Sequence, residues 1–178
     1  MKRALPIAVL VAVLDQLTKE WALARLLDEP GGTIDLPFGA QFQLHYNTGA
    51  AFSSATSIGP IIGLVVIGVI VVLLRMIYKR QDRRSQYLLG TICGGAVGNL
   101  LDRVFRDDPV NGSDGPLSGA VIDFIKPVDF FAIFNVADAA VFLGVFAIVV
   151  QSLLFPPDEV MSDSSDEVEK LTMEQASL

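Results

Sequence analysis

Four apolar runs, each about 20 residues long and so long enough to cross a bilayer as a helix, leave this chain few ways to fold. They lie at roughly Leu5–Leu27, Ile58–Tyr78, Gln86–Phe105 and Phe131–Phe155. In hydrocarbon a backbone must satisfy its own hydrogen bonds, so each run is predicted to be a transmembrane helix. The chain is 52% hydrophobic with a mean hydropathy of +0.52, high for a soluble domain. The predicted fold class is an all-α polytopic membrane protein, one domain over residues 1–155. Met1-Lys2-Arg3 followed by Ala4–Leu14 resembles a signal peptide. No small-x-small cleavage site directly follows Leu14, and the apolar pattern resumes after Asp15-Gln16, so the first run is read as a retained helix.

The formal charge of −7 belongs to the tail. Residues 156–178 hold seven acids against Lys170, a net of −6, which leaves 13 acids and 12 bases elsewhere. This acidic stretch after Pro156-Pro157 is predicted to be a disordered cytoplasmic tail. Basic residues set the orientation of the rest. Arg75, Lys79, Arg80, Arg83 and Arg84 crowd the link between the second and third runs, and the 28–57 loop has no Lys or Arg. Both termini are therefore predicted to be cytoplasmic, with loops 28–57 and 106–130 outside. The basic link is too short for a nucleic-acid patch. In the first outer loop, Thr33–Leu36 and Ala40–Tyr46 read as two strands joined by Pro37-Phe38-Gly39, a small sheet on the membrane surface. Asp107–Gly119 reads as a flexible loop.

Polar residues within or beside the apolar runs are the informative set, because a carboxylate in hydrocarbon is costly. Asp15 and Lys19 share a helix face at a spacing that favours an ion pair. Asn99 and Asp102 share a face of the third run, with Arg103 beside them. Asp15, Lys19, Asp102 and Arg103 are each explained by helix packing, with the neighbouring base neutralising the acid or linking it to another segment. Asp123 and Asp138 differ, since no base adjoins Asp138 and the nearest to Asp123 is Lys126. Such a pair is open to proton transport, metal binding, hydrolysis or a purely structural role in holding helices together. Two carboxylates held close in a desolvated place share a proton, which equips them for aspartic-protease chemistry. The single histidine, His45, makes neither a metal site nor a Ser-His pair, and reads as a surface or sheet residue. Cys93, the one cysteine, excludes an intrachain disulfide and reads as buried packing among Gly90, Gly94 and Gly98, which let helices approach closely.

Five blocks carry a resemblance. They are Asp15-Gln16-Leu17-Thr18-Lys19; Asn47-Thr48-Gly49-Ala50-Ala51-Phe52-Ser53; Gly94 to Arg103; Val121-Ile122-Asp123-Phe124; and Phe134-Asn135-Val136-Ala137-Asp138. Together, in this order, the chain resembles the lipoprotein signal peptidases (signal peptidase II). The resemblance implies an aspartic endopeptidase of the bacterial inner membrane that cuts prolipoproteins before their diacylglyceryl-modified cysteine. It implies Asp123 and Asp138 as the catalytic pair near the outer face, and Asn47, Asn99, Arg103 and Asn135 as site-lining residues. Asp15 and Lys19 match positions near the substrate path or helix packing, and Asp102 a position of stability. It further implies a surface sheet, a mobile outer helix between Arg103 and Phe131, contact with membrane lipid, inhibition by globomycin, and no metal or cofactor. The chain departs from the family in a longer stretch from Arg106 to Gly119, in Phe130 and Phe131 where a tryptophan is common, and in its acidic tail. The rival classes are a transporter or proton pathway and a metal-dependent lipid phosphotransferase. The first is opposed by acids gathered at one interface and no visible inverted repeat, the second by the lack of an aspartate-rich helix repeat. A presenilin-like protease would need a Gly-x-Gly-Asp block, which is absent.

Overall fold

A computed structural model describes residues 1–49, 58–80, 82–110, 112 and 115–154. The described residues form four α-helices and a three-stranded sheet: α1 (Ala4–Leu26), β1 (Thr33–Asp35), β2 (Gln41–Asn47), α2 (Ile58–Lys79), α3 (Arg83–Phe105), β3 (Val121–Lys126) and α4 (Val136–Leu154). The tail at 156–178 and Ala50 to Ser53 of the second block lie outside the described residues.

Composition separates the helices into two kinds. α2 and α4 are long and apolar enough to cross a membrane, at Gly59–Lys79 and Val136–Leu154. α2 leaves Ile61, Leu64, Val65, Val69 and Val72 exposed, an apolar surface suited to lipid. Its many β-branched residues are poor helix formers in water, but hydrocarbon requires internally bonded backbone. α1 and α3 have lower hydropathy because they carry the polar residues of the site, and they pack closely through small residues. A Cβ on Gly90 would lie 2.6 Å from the Ala4 carbonyl oxygen, and one on Gly94 2.5 Å from that of Ala8. α4 closes against α3 the same way, since a Cβ on Gly95 would lie 2.5 Å from the Ala137 carbonyl oxygen. Cys93 is buried in the core with Ala8, Leu89 and Ile92, as expected.

Helix starts are set by caps. α3 begins three residues before its apolar run because the Asp82 side chain accepts the Ser85 N–H at 2.8 Å. α4 begins at Val136, not Phe131 as the apolar run predicts. Residues 131–135 instead turn and pair with β3, where the Ile125 N–H donates to the Phe134 carbonyl at 2.9 Å and the Phe134 N–H returns to Ile125 at 3.1 Å.

The sheet is antiparallel, in the order β1-β2-β3. The first two strands and their turn at Pro37–Gly39 fall where the alternating pattern puts them. The third corrects the sequence reading. Asp123 lies in a strand, and the outer helix expected between Arg103 and Phe131 does not form among the described residues of 106–130. The reason is pairing at long range, with Asn47 opposite Val121 and His45 opposite Asp123. β3 is buried on both faces, so it lacks the alternation of a surface strand. The sheet docks on the C-terminal end of α1 through Trp21, whose ring lies 5.1 Å from Phe42 and 6.2 Å from Phe124. With Phe124 facing α1, the period of two turns Asp123 to the other face.

Candidate active site

Asp123 and Asp138 arrive from different elements and are both hydrogen-bonded to one residue, Asn135. The Asn135 Nδ2 donates to Asp123 Oδ1 at 2.7 Å, and the Asn135 backbone N–H donates to Asp138 Oδ2 at 3.2 Å. The second bond is half of a capping box. Asn135 is the cap of α4, and its Oδ1 accepts the Asp138 N–H at 2.9 Å while Asp138 reaches back to the Asn135 N–H. The spacing Asn135-x-x-Asp138 before an apolar run was the signal that fixes the true start of α4. It orients both an acid and its amide neighbour.

Three asparagines surround the carboxylates, and each is oriented by the same logic. An amide oxygen accepts a proton from a fixed donor, so its nitrogen must point the other way. Asn47 Oδ1 accepts the Gly49 N–H at 2.9 Å, and its Nδ2 donates to Asp123 Oδ2 at 2.9 Å. Gly49 adopts φ +80°, the left-handed backbone that this tight turn requires. Asn99 Oδ1 accepts from Lys19 Nζ at 2.9 Å, and its Nδ2 donates to Asp138 Oδ1 at 2.7 Å. Asn135 is held by the Asp138 N–H. The four residues named as lining the site therefore divide into these three and Arg103.

Behind this layer lies a fully buried ionic network. Lys19 Nζ stands 2.7 Å from both Asp15 Oδ2 and Asp102 Oδ2, and all three side chains are inaccessible to solvent. Asp15 Oδ1 accepts the Ala137 N–H at 2.8 Å, which seats the first turn of α4. Asp102 Oδ2 also accepts the Ile122 N–H at 3.1 Å, one residue from Asp123. The network thus ties both elements that carry the candidate pair to α1 and α3. Asp102 Oδ1 takes Arg106 Nε at 2.8 Å and Gln16 Nε2 at 3.0 Å.

This arrangement corrects one pairing. The base beside Asp102 in sequence, Arg103, is not its partner; Lys19 and Arg106 are. Arg106 sits one helical turn on, the spacing that could have revealed it, and continues outward to Glu20 at 2.7 Å. Gln16 was also passed over. Arg103 is itself buried, lies in the field of Asp102, Asp123 and Asp138, and its Nη1 has no hydrogen-bond partner among the described residues.

Asp123 is 1% exposed. Burial, with the nearby Asp138 charge adding to it, pushes its carboxyl up to about 7, against the lowering effect of the Asn47 and Asn135 hydrogen bonds. Among the described residues no ion pair involves Asp123 or Asp138, whereas Asp15 and Asp102 are both paired. A cavity of about 810 Å³ opens on this face, lined by His45, Asn47, Val110, Asp123, Lys126 and Phe131 among others. His45 is an exposed sheet residue, as expected.

Comparison with known proteins agrees with the geometry. The family model described as Signal peptidase (SPase) II matches residues 7–154. The lipoprotein signal peptidase of Streptomyces griseus is 37% identical over 148 residues, covering 83% of this chain and 71% of that protein. That of Mycobacterium leprae is 36% identical over 154 residues, covering 86% and 72%. A bacterial membrane enzyme solved by the in meso method at 1.9 Å superposes with a TM-score of 0.71 at 26% identity, over 88% of this chain and 95% of the other. A small sheet docked on closely packed helices, a buried polar site and this extent of identity have one common account: the chain belongs to the signal peptidase II family, membrane enzymes that remove signal peptides from prolipoproteins.

Proposed function

We propose that this chain is an aspartic endopeptidase in which Asp123 and Asp138 cut prolipoproteins before the diacylglyceryl-modified cysteine. The observation that carries the reading is the anchoring of both carboxylates on Asn135, with Asp123 buried, Asp138 half-buried and neither in an ion pair among the described residues. Close acids that cannot both ionise hold one proton between them. With the Asp123 carboxyl pushed up to about 7, that proton rests on Asp123. Asp138, less buried than Asp123 and likewise bonded by N–H groups at both oxygens, is the base.

Asp138 takes a proton from water as the water oxygen attacks the carbonyl of the residue before the cysteine. The Asp123 proton moves to the carbonyl oxygen, which leaves a neutral gem-diol. On collapse that proton returns to Asp123. Asp138 gives its proton to the cysteine nitrogen, and the C–N bond breaks. Arg103 Nη1, which has no partner among the described residues, supplies a donor for a substrate carbonyl.

The remaining parts of the reading concern the membrane. All four helices span the inner membrane, residues 1–155 form the peptidase domain, both termini are cytoplasmic and the site lies near the outer face. Support comes from the basic α2–α3 link, from the loop at 28–57 with no Lys or Arg, and from the polar residues that lower the hydropathy of α1 and α3. The diacyl chains bind among the helices, at about 0.8 kcal/mol per buried CH₂. Globomycin competes for the same site.

The test is a gel-shift cleavage assay on lipidated prolipoprotein with the wild type, Asp123→Asn and Asp138→Asn, each with and without globomycin. Both variants should fold and leave the substrate uncut, and globomycin should block the wild type. Near-normal cleavage by either variant, or loss of wild-type cleavage in EDTA, would overturn the proposal.

A further inference from the structure

We infer that Lys19 is a positioning residue for the reaction: it holds the Asn99 amide turned so that a nitrogen, not an oxygen, faces Asp138. The inference rests on the Asp123–Asp138 reading above. An ammonium group has three donors and no acceptor, so the Asn99 atom 2.9 Å from Lys19 Nζ is its oxygen. The amide nitrogen then lies 2.7 Å from Asp138 Oδ1 and donates to it. A flipped amide would set an oxygen against a carboxylate oxygen.

Of the three oriented asparagines, Asn47 and Asn135 are held by backbone N–H groups, from Gly49 and Asp138. Asn99 alone is held by an ionised side chain. Asn135 Nδ2 also reaches Asn99 Oδ1 at 3.1 Å, but its two hydrogens serve Asp123 at 2.7 Å and the Ile122 carbonyl at 3.3 Å as well. The charge-assisted bond from Lys19 is the stronger hold. Lys19 is in turn fixed by Asp15 and Asp102, so its third donor has one place to go. The charges that act around Asp138 are Asp123 from β3 and Arg103 from α3, while Lys19 of α1 stands behind Asn99. The ionic network therefore touches the Asp138 carboxylate itself through the Asn99 amide, besides seating its helix turn through the Ala137 N–H.

Lys19→Met alone strands two acids, so the variant to test is Asp15→Asn/Lys19→Met in the full chain, with Asp15→Asn as its reference. The amide oxygen at position 15 still accepts the Ala137 N–H, and Asp102 keeps Arg106 and Gln16. Cleavage of lipidated prolipoprotein is followed by gel shift from pH 5 to 9. Relative to the reference, kcat falls about 10- to 100-fold with KM held within about two-fold. The acidic limb of the kcat profile moves to higher pH by about one unit, because an oxygen turned toward the carboxylate disfavours its ionised form. In an Asn99→Ala background the Lys19 change adds no further loss in kcat. A second variant leaves Lys19 in place: Asn99→Asp sets an oxygen opposite Asp138 and displaces the limb in the same direction. An unmoved limb in either variant, or losses that multiply in the Asn99→Ala background, would assign Lys19 a purely structural role. Inactive Asp123→Asn and Asp138→Asn beside an unmoved limb would sink this inference alone; active ones would sink the dyad itself.

Discussion

Replacing Asp123 by Asn should make the protein more stable in neutral solution while abolishing cleavage. In the folded chain this carboxyl is 1% exposed and titrates at about 7, against 3.8 for the usual value. That gap corresponds to about 4 kcal/mol. Because the folded value lies above the unfolded one, the contribution of the neutral acid to stability is complete below 3.8. It fades as pH rises and is gone above about 7, where the native state carries a buried charge. The amide cannot titrate. It does leave one of the two asparagine donors, from Asn47 or Asn135, facing another N–H, a fixed cost of about 1–3 kcal/mol at every pH. The informative quantity is thus the change with pH. The stability of Asp123→Asn minus that of the wild type should rise by about 4 kcal/mol from pH 4 to 7 and then level off. Thermal unfolding in detergent at half-unit pH steps measures it, with a relative shift in Tm of roughly 10 °C across the range. A difference that stays flat from pH 4 to 8 would show that Asp123 ionises like an ordinary carboxyl, and the proton-sharing pair would be refuted.

Asn135→Ala removes the α4 cap and the amide bond to Asp123 together. It should cost about 1–2 kcal/mol in unfolding experiments and lower kcat beyond what the lost folded fraction explains. Gly94→Ala should cost about 1–3 kcal/mol, since its Cβ would lie 2.5 Å from the Ala8 carbonyl oxygen and force α1 from α3. Gly68→Ala, with nothing within 4 Å, is the matched control and should be neutral or slightly stabilising by the same measurement. Lys19→Met should cost about 3–5 kcal/mol by leaving Asp15 and Asp102 buried without their shared base. Most of that stability should return in Asp15→Asn/Lys19→Met, which thermal unfolding of the two variants compares directly.

The parts of the fold that a reader of the sequence could find are those written in local patterns. Four apolar runs mark four helices, and alternation from Ala40 to Tyr46 marks β2. What failed were the places where distant partners decide. Residues 131–135 belong to the apolar run by hydropathy, yet they pair with β3 because Asn135 caps α4 and stops the helix from starting earlier. The Asn-x-x-Asp spacing held that information in plain view. β3 had no such signal, because burial on both faces erases the alternation by which a strand is recognised. Arg103 was paired with Asp102 on adjacency. Neighbours in a helix point about 100° apart, so Arg106, one turn on, is the residue that reaches it.

The sequence by itself determined which side chains are too costly to sit in an apolar chain without a purpose. Desolvation of a carboxylate, an ammonium or an amide depends on the group and not on its neighbours, so Asp15, Lys19, Asn99, Asp102, Arg103, Asp123, Asn135 and Asp138 stand out unaided. Only the tertiary structure decided how those groups divide. Asp15 and Asp102 are neutralised by Lys19, contributed from α1 to a site carried by α3, β3 and α4, whereas Asp123 and Asp138 receive amide nitrogens instead of a base. Whether a buried acid is quiet or reactive is set by what lies within about 3 Å of its oxygens. That is settled by which helices and strands the packing brings together.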